Sequence, residues 1–174
     1  PAVSDCLSSE QLALFKQALA LSDFILRSAL QAPELVVELF ESEQLLSSNT
    51  PSYSEMLIAS LNTCTSEEQL HKVLRQFRLV QMVHIAVGDF LLNISLDESL
   101  KRLSALADSL ILSANHWLTR FCKEKWGVPV NAEGEEQSLL VYGMGKLGGQ
   151  ELNFSSDIDL IFVFPESGET QGVR

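Results

Sequence analysis

Two patterns that could do chemistry overlap in the segment LLVYGMGKLGGQELNFSSDIDLIFVF. Gly143, Gly145 and Gly148 form a G-x-G-x-x-G, which is typical of a dinucleotide-binding turn when it follows a strand and opens a helix. Asp157 and Asp159 form a D-x-D at the start of an apolar run, and carboxylate oxygens are ligands that Mg²⁺ prefers. The segment therefore predicts either a redox cofactor site or a metal site that handles the phosphates of a nucleotide.

The spacing counts against the redox cofactor. Glu166 follows Gly148 by 18 residues, near the position of a ribose-binding acid. However, only nine residues run from Gly148 to Ser156, and a parallel crossover needs a dozen or more. The redox hypothesis also leaves two carboxylates at the start of a buried strand without a role. Burying a charged group without a partner is unfavourable in free energy. A phosphate-binding P-loop fails because Leu140 replaces its first glycine and Leu147 follows Lys146.

An antiparallel pair of strands, 138–143 and 158–164, brings the two patterns to one sheet edge. Residues i and i+2 of a strand share a face, roughly 6.5 Å apart, so both aspartates would aim together at one or two Mg²⁺ ions. We expect Gly148 and Gly149 to open a short helix whose N–H groups approach phosphate. Lys146, Ser155 and Ser156 are either further phosphate contacts or, equally, solvated loop and turn residues.

The elements before this segment are predicted to be helices. Apolar residues recur near a period of 3.6 up to Trp126, serines precede the periodic segments, and Pro33 and Pro51 suit first helical turns. Five helices are predicted, over residues 8–31, 33–46, 51–64, 65–93 and 95–126. Gly127 and Pro129 end the last one. The pattern predicts an antiparallel helical bundle.

The domain organisation follows from a change in composition after the bundle. We predict an α+β protein with a helical bundle over 1–126, a polar linker over 127–137 and the first strands of a mixed sheet over 138–174. Two strands and one short helix do not close an α/β domain, so the second domain is expected to be either truncated or completed by something else. Arg75 and Arg78 share a helix face, where they either grip a phosphate or carboxylates or, more simply, pair with glutamates.

Composition excludes several classes of function. The net charge of −11 disfavours nucleic-acid binding, and no apolar run is long enough to span a membrane. The odd number of cysteines (Cys6, Cys64 and Cys122) predicts free thiols in a reducing compartment, most simply the cytoplasm. The three histidines lack zinc-ligand spacing and are expected to be ordinary helix residues.

The pattern LGG, seven residues and then DID on an apolar strand resembles the polymerase-β-like nucleotidyltransferase superfamily. More narrowly, GMGKLGGQELNFSSDIDLIF is similar to the bifunctional glutamine synthetase adenylyltransferase/adenylyl-removing family. LRQFRLVQMVHIA and LILSANHWL resemble the helical region before the first catalytic domain of that family. The residues of this motif are more similar to those of the N-terminal, deadenylylating domain than to those of the C-terminal, adenylylating domain.

The resemblance implies phosphorolysis of an AMP–tyrosine bond on glutamine synthetase, with release of ADP. Asp157 and Asp159 would ligate Mg²⁺, and Gly148, Gly149 and Ser156 would contact phosphate, with Lys146 beside them. ATP or ADP, phosphate and a PII-type signalling protein are the other implied partners.

Two alternatives stay open: adenylylation from ATP, or a helical interaction module without catalysis. The superfamily needs a third carboxylate on a later strand, whereas Glu166 and Glu169 lie in an expected loop. We therefore expect this polypeptide alone to bind metal poorly and to be inactive.

Overall fold

The computed structural model describes residues 6–42, 45 and 52–172, and the protein has an α+β fold in which helices precede two small sheets. The helices of the bundle are α1 (Ser9–Leu21), α2 (Asp23–Gln31), α3 (Pro33–Glu41), α4 (Tyr53–Leu61), α5 (Glu67–Leu91) and α6 (Leu96–Trp126). They are followed by β1 (Val128–Val130), β2 (Leu140–Gly143), α7 (Gly145–Gly148), β3 (Leu160–Val163) and β4 (Glu169–Gln171).

Serine caps set the starts of several helices. Ser8 accepts the N–H of Gln11, whose side chain accepts the N–H of Ser8 in return, and Ser66 accepts the N–H of Gln69. These bonds satisfy backbone donors that a first helical turn leaves without partners. The predicted starts at Ser8 and Ser66 are confirmed, and so is Pro33 in a first turn. Pro51 lies outside the described residues.

The prediction of one continuous helix over residues 8–31 is wrong at Ser22. The backbone of Ser22 is extended, and its hydroxyl accepts the N–H of Ile25 at 3.3 Å, so one residue ends α1 and caps α2. Serine favours such local bonds over helical continuation. The apolar spacing does not reveal the break, because Ala18 and Ile25 are both fully buried on either side of it.

The two long helices α5 and α6 form the centre of the bundle. Only residues 92–95 join them, so they run antiparallel and pack along each other, with α4 against α6 and with α1, α2 and α3 against α5. Among the described residues, buried apolar side chains form three clusters, represented by Phe40 and Val87, by Tyr53 and Leu106, and by Leu57 and Trp117.

The strands form two antiparallel pairs. β2 pairs with β3, with Leu140 opposite Val163 and Gly143 opposite Leu160, which confirms the predicted antiparallel arrangement. β1 pairs with β4, so the segments expected to be a linker and a loop each contain a strand. The sequence did not predict these strands because three residues are too few to show a two-residue period, and because Pro129 and Thr170 are not strong strand signals.

Burial of the β2–β3 pair differs from the expectation of buried strands. Tyr142 is 54% exposed and Phe162 is 58% exposed, while Leu160 packs against the cluster that contains Leu106. These exposures show that the bundle covers only part of the pair. Each of the two strands has one neighbouring strand in the described chain. No helix in the described residues is long and apolar enough to cross a membrane.

Candidate functional site

The β2–β3 pair brings Asp159 of the D-x-D next to the glycine-rich turn. The N–H of Met144 donates to the carbonyl of Asp159 at 2.9 Å, which extends the strand pairing by one residue. Oδ2 of Asp159 lies 4.0 Å from the point that a Cβ on Gly145 would occupy. The carboxylate of Asp159 therefore faces the turn. A parallel crossover is absent between these two strands, so the redox hypothesis fails on topology.

The backbone geometry and packing of the turn explain each glycine of the G-x-G-x-x-G. Gly145 has φ +55°, a left-handed conformation that residues with a Cβ rarely adopt. A Cβ on Gly148 would lie 2.5 Å from the carbonyl oxygen of Gly143, and a Cβ on Gly143 would lie 2.9 Å from Cδ2 of Leu147. The motif is therefore explained by a strand that turns directly into a tightly packed helix.

The helix in this turn begins earlier than expected. α7 is a single turn, Gly145–Gly148, so Gly148 ends it and Gly149 caps its C-terminus, whereas both were expected to open it. The N–H of Gly148 donates to the carbonyl of Met144, and that of Gly149 to the carbonyl of Gly145. These amides close the turn. The contacts of Gly148 and Gly149 with phosphate stay a prediction.

Asn153 organises the approach to the aspartates, and the sequence analysis missed it. Its Oδ1 accepts hydrogen bonds from the N–H and hydroxyl of Ser155 and, at 2.7 Å, from the hydroxyl of Ser156. The pattern N-x-S-S could have been recognised, because asparagine commonly bonds to the chain two residues later. In this structure both serines are turn residues, and the contact of Ser156 with phosphate stays a prediction.

The loop between the glycines and the aspartates is anchored on helix α6. The N–H of Leu152 donates to the buried hydroxyl of Ser104 at 3.1 Å, and Nε2 of Gln150 donates to Oδ2 of Asp108 at 3.0 Å. Leu147 and Leu152 are both buried in the cluster that α6 contributes to. The long helix thus fixes the path of the chain that leads to Asp157.

The charges at this edge are arranged as an open acidic site. Asp157 and Asp159 are exposed, and neither forms an ion pair within the described residues. Lys146 is exposed on α7. Two carboxylates without a cationic partner are suited to a divalent cation, because oxygen ligands and local negative charge are what Mg²⁺ requires.

The described chain does not contain a complete metal site. Nowhere in residues 6–42, 45 and 52–172 do three His, Cys, Asp or Glu side chains cluster as metal ligands would. Glu169 lies in β4, which pairs with β1 rather than with the β2–β3 pair, and Glu166 lies between β3 and β4. The two aspartates fit Mg²⁺ as part of a ligand set.

Comparison with known proteins gives one family. A family model described as glutamate-ammonia ligase adenylyltransferase matches residues 12–174. A protein of Shewanella loihica named bifunctional glutamine synthetase adenylyltransferase/adenylyl-removing enzyme is 47% identical over 174 residues, covering 100% of this chain and 18% of that protein. Proteins of the same name from Vibrio parahaemolyticus and Shewanella woodyi are 48% and 45% identical, over 92% and 100% of this chain and 17% and 18% of their own lengths.

Proposed function

Because the chain belongs to the glutamate-ammonia ligase adenylyltransferase family, we propose that it supplies part of the metal site of a nucleotidyltransferase that removes AMP from glutamine synthetase. The chain spans less than a fifth of the length of the curated relatives, so the activity, substrates and partners of the whole protein belong to this proposal. The observation that carries the proposal is the carboxylate of Asp159 facing Gly145 across the strand pair.

The proposed reaction is phosphorolysis. An oxygen of inorganic phosphate forms a bond to the phosphorus of the AMP group while the bond from that phosphorus to the tyrosine oxygen breaks. The tyrosine oxygen takes up a proton, and ADP leaves. Bound Mg²⁺ would supply positive charge to the phosphoryl oxygens, as in other phosphoryl transfers.

The residues of this chain have separate proposed tasks. Asp157 and Asp159 hold Mg²⁺ from the D-x-D, and Lys146 presents an ammonium group to phosphate from α7. Ser156 holds the loop through Asn153 and is near enough in sequence to Asp157 to orient it. A further carboxylate from outside this chain completes the ligand set, and we propose that this polypeptide alone is inactive for that reason. We also place the enzyme in the cytoplasm, because all three cysteines are free thiols.

The decisive experiment changes Asp159→Asn in a polypeptide of the relatives' full length. We expect release of ADP from adenylylated glutamine synthetase and phosphate to fall by about a thousandfold, because the metal loses a charged ligand. Incorporation of AMP from ATP should be retained. Glu166→Gln is the matched control, since it removes one exposed carboxylate beyond the other end of β3 and should leave both reactions unchanged.

The two measured reactions also separate the alternatives. Loss of AMP incorporation with retained ADP release would assign this segment to adenylylation instead. Retention of both reactions would mean that the segment acts as a non-catalytic interaction module. Isothermal titration with Mg²⁺ and ADP on the same variants checks that the loss of activity follows the loss of binding.

A further inference from the structure

A basic groove of about 550 Å³ lies on the bundle beside the loop that leads to the aspartates. Helix α5 contributes Lys72, Arg75 and Arg78 to its lining, and the opposite side comes from the start of α3. Phe24 of α2 and Phe154 of the loop also line the groove, with ring centroids 6.2 Å apart. The groove therefore combines three cations with an aromatic wall.

The three cations have no acidic partners in the described part of the chain. The ion pairs of that part are Lys101–Asp97, Arg102–Glu98 and Lys123–Glu136. Among the groove cations, Nε of Arg75 donates to the carbonyl of His71 at 3.2 Å, and the Arg75 side chain is exposed. The expected pairing of Arg75 and Arg78 with glutamates is not found among residues 6–42, 45 and 52–172, and no described Asp or Glu lines the groove.

This arrangement is unusual for the charge of the chain. The protein carries 12 basic and 23 acidic residues, yet three of the basic ones share one groove without an acid among its described lining residues. Lys72 and Arg75, like Arg75 and Arg78, are three residues apart on a helix, and like charges at that spacing repel. Binding of an anion removes this repulsion, so the groove favours an acidic ligand.

The length of the row of cations suits an extended peptide. At a rise of 1.5 Å per residue, Lys72 and Arg78 are separated by about 9 Å along the helix axis. Same-face side chains of an extended peptide recur every 7 Å or so, so two successive carboxylates on one face of the peptide span roughly the length of the row of cations. Leu79 and Met82 add apolar lining, which suits apolar side chains between the acids.

From these observations we propose that the basic groove, lined by Lys72, Arg75, Arg78, Phe24 and Phe154, is a docking site for an acidic, extended segment of a partner protein. The carboxylates of the segment pair with the three cations, and its apolar side chains contact the aromatic wall. The inference does not depend on the chemistry at Asp157 and Asp159. It places a protein-recognition surface next to the loop that carries them.

The test measures binding of a fluorescein-labelled decapeptide of alternating aspartate and leucine by fluorescence anisotropy. The same peptide with asparagine in place of aspartate is the neutral probe. We expect the acidic peptide to bind at least about tenfold more tightly than the neutral one, and the difference to shrink as salt is raised. Equal affinities for the two peptides would overturn the inference.

Charge reversal locates the binding. Arg75→Glu/Arg78→Glu should weaken binding of the acidic peptide by about tenfold, while glutamate keeps the helix as well as arginine does. Lys16→Glu/Arg120→Glu makes the same change in net charge at exposed positions outside the groove, and it should change affinity by less than about twofold. Circular dichroism checks that both double variants are folded.

Two results would reject the docking site. Equal weakening by both double variants would show that the peptide senses net charge rather than the groove. Binding of pyrophosphate that is lost in Arg75→Glu/Arg78→Glu, with no measurable binding of the acidic peptide, would replace the inference with a phosphate site.

Discussion

The bundle and the β2–β3 pair differ in how far they bury phenylalanine side chains. In the bundle Phe40 is 1% exposed and packs edge-to-face on Phe15 with ring centroids 5.0 Å apart. In the strand pair Phe162 is 58% exposed. Both residues have apolar neighbours in the sequence, Leu39 before Phe40 and Ile161 and Val163 on either side of Phe162. An apolar pattern therefore identifies side chains suited to burial, whereas the neighbouring elements determine whether burial occurs.

The strand pair is held together by different interactions from those in the bundle. Backbone hydrogen bonds hold Leu140–Gly143 to Leu160–Val163, and close contacts at Gly143 and Gly148 fix the turn. The bundle is stabilised mainly by buried apolar area, which contributes about 25 cal/mol per Å². The two regions should therefore respond to different kinds of substitution.

The largest expected effect comes from truncating one phenylalanine in each region. Phe40→Ala should lower the free energy of unfolding by about 4 kcal/mol, because it removes a buried ring and leaves a cavity. Phe162→Ala should lower it by less than about 0.5 kcal/mol, as for other exposed positions. Urea denaturation followed by circular dichroism measures both, and similar losses would contradict the comparison.

A smaller effect is expected from a methyl group in the turn. Gly148→Ala places a Cβ against the carbonyl oxygen of Gly143 and should cost about 2 kcal/mol in the strand pair. Gly149→Ala is the matched control, because the nearest atom to its Cβ lies at 3.5 Å, an ordinary contact. Hydrogen exchange at Leu140–Gly143 reports the local loss. Equal protection of these amides in both variants would show that the turn tolerates the extra atom.

The smallest effect is the pH dependence of stability that arises from Tyr53, a buried residue of the bundle. Burial raises the pKa of Tyr53 to about 12 from 10.0, with Arg102 opposing the rise and Glu98 adding to it. Because the folded state holds the proton more tightly, the stabilising contribution is complete below pH 10 and is lost between pH 10 and 12. Near pH 11 the loss should be about 1 kcal/mol.

Comparison with Tyr53→Phe isolates this contribution. The free energy of unfolding is measured against pH for both proteins, and the part of the alkaline decline that belongs to Tyr53 should be missing in the variant. Parallel declines in the two proteins would mean that Tyr53 is not held in a closed interior.

The sequence predicted most of the elements because their signals are local. The helix cap at Ser66 and the helix end at Gly127 depend on neighbouring residues in the sequence. The same is true of the two apolar strands that precede and follow the D-x-D segment. The break at Ser22 was missed because its hydroxyl bond competes with an apolar period that continues across it.

Features that join distant parts of the chain could not be predicted in this way. Ser104 meets Leu152, and Phe154 joins two apolar clusters of the bundle, although nothing in the local pattern of either segment indicates these contacts. The antiparallel pairing was predictable only because nine residues are too few for a parallel return. In the candidate site, the position of Asp159 beside the turn could be predicted, because it follows from that pairing. The start of α7 at Gly145 could not, because it depends on close atomic contacts in the turn.

The bond between the N–H of Leu152 and the hydroxyl of Ser104 joins residues 48 positions apart. Closing so large a loop costs chain entropy, which is recovered only after α6 has formed and offers its buried hydroxyl. We therefore expect the acidic edge to become ordered only after α6 has formed. Slow or incomplete assembly of the helices would leave the two aspartates on an unplaced loop, even in a chain whose strands are intact.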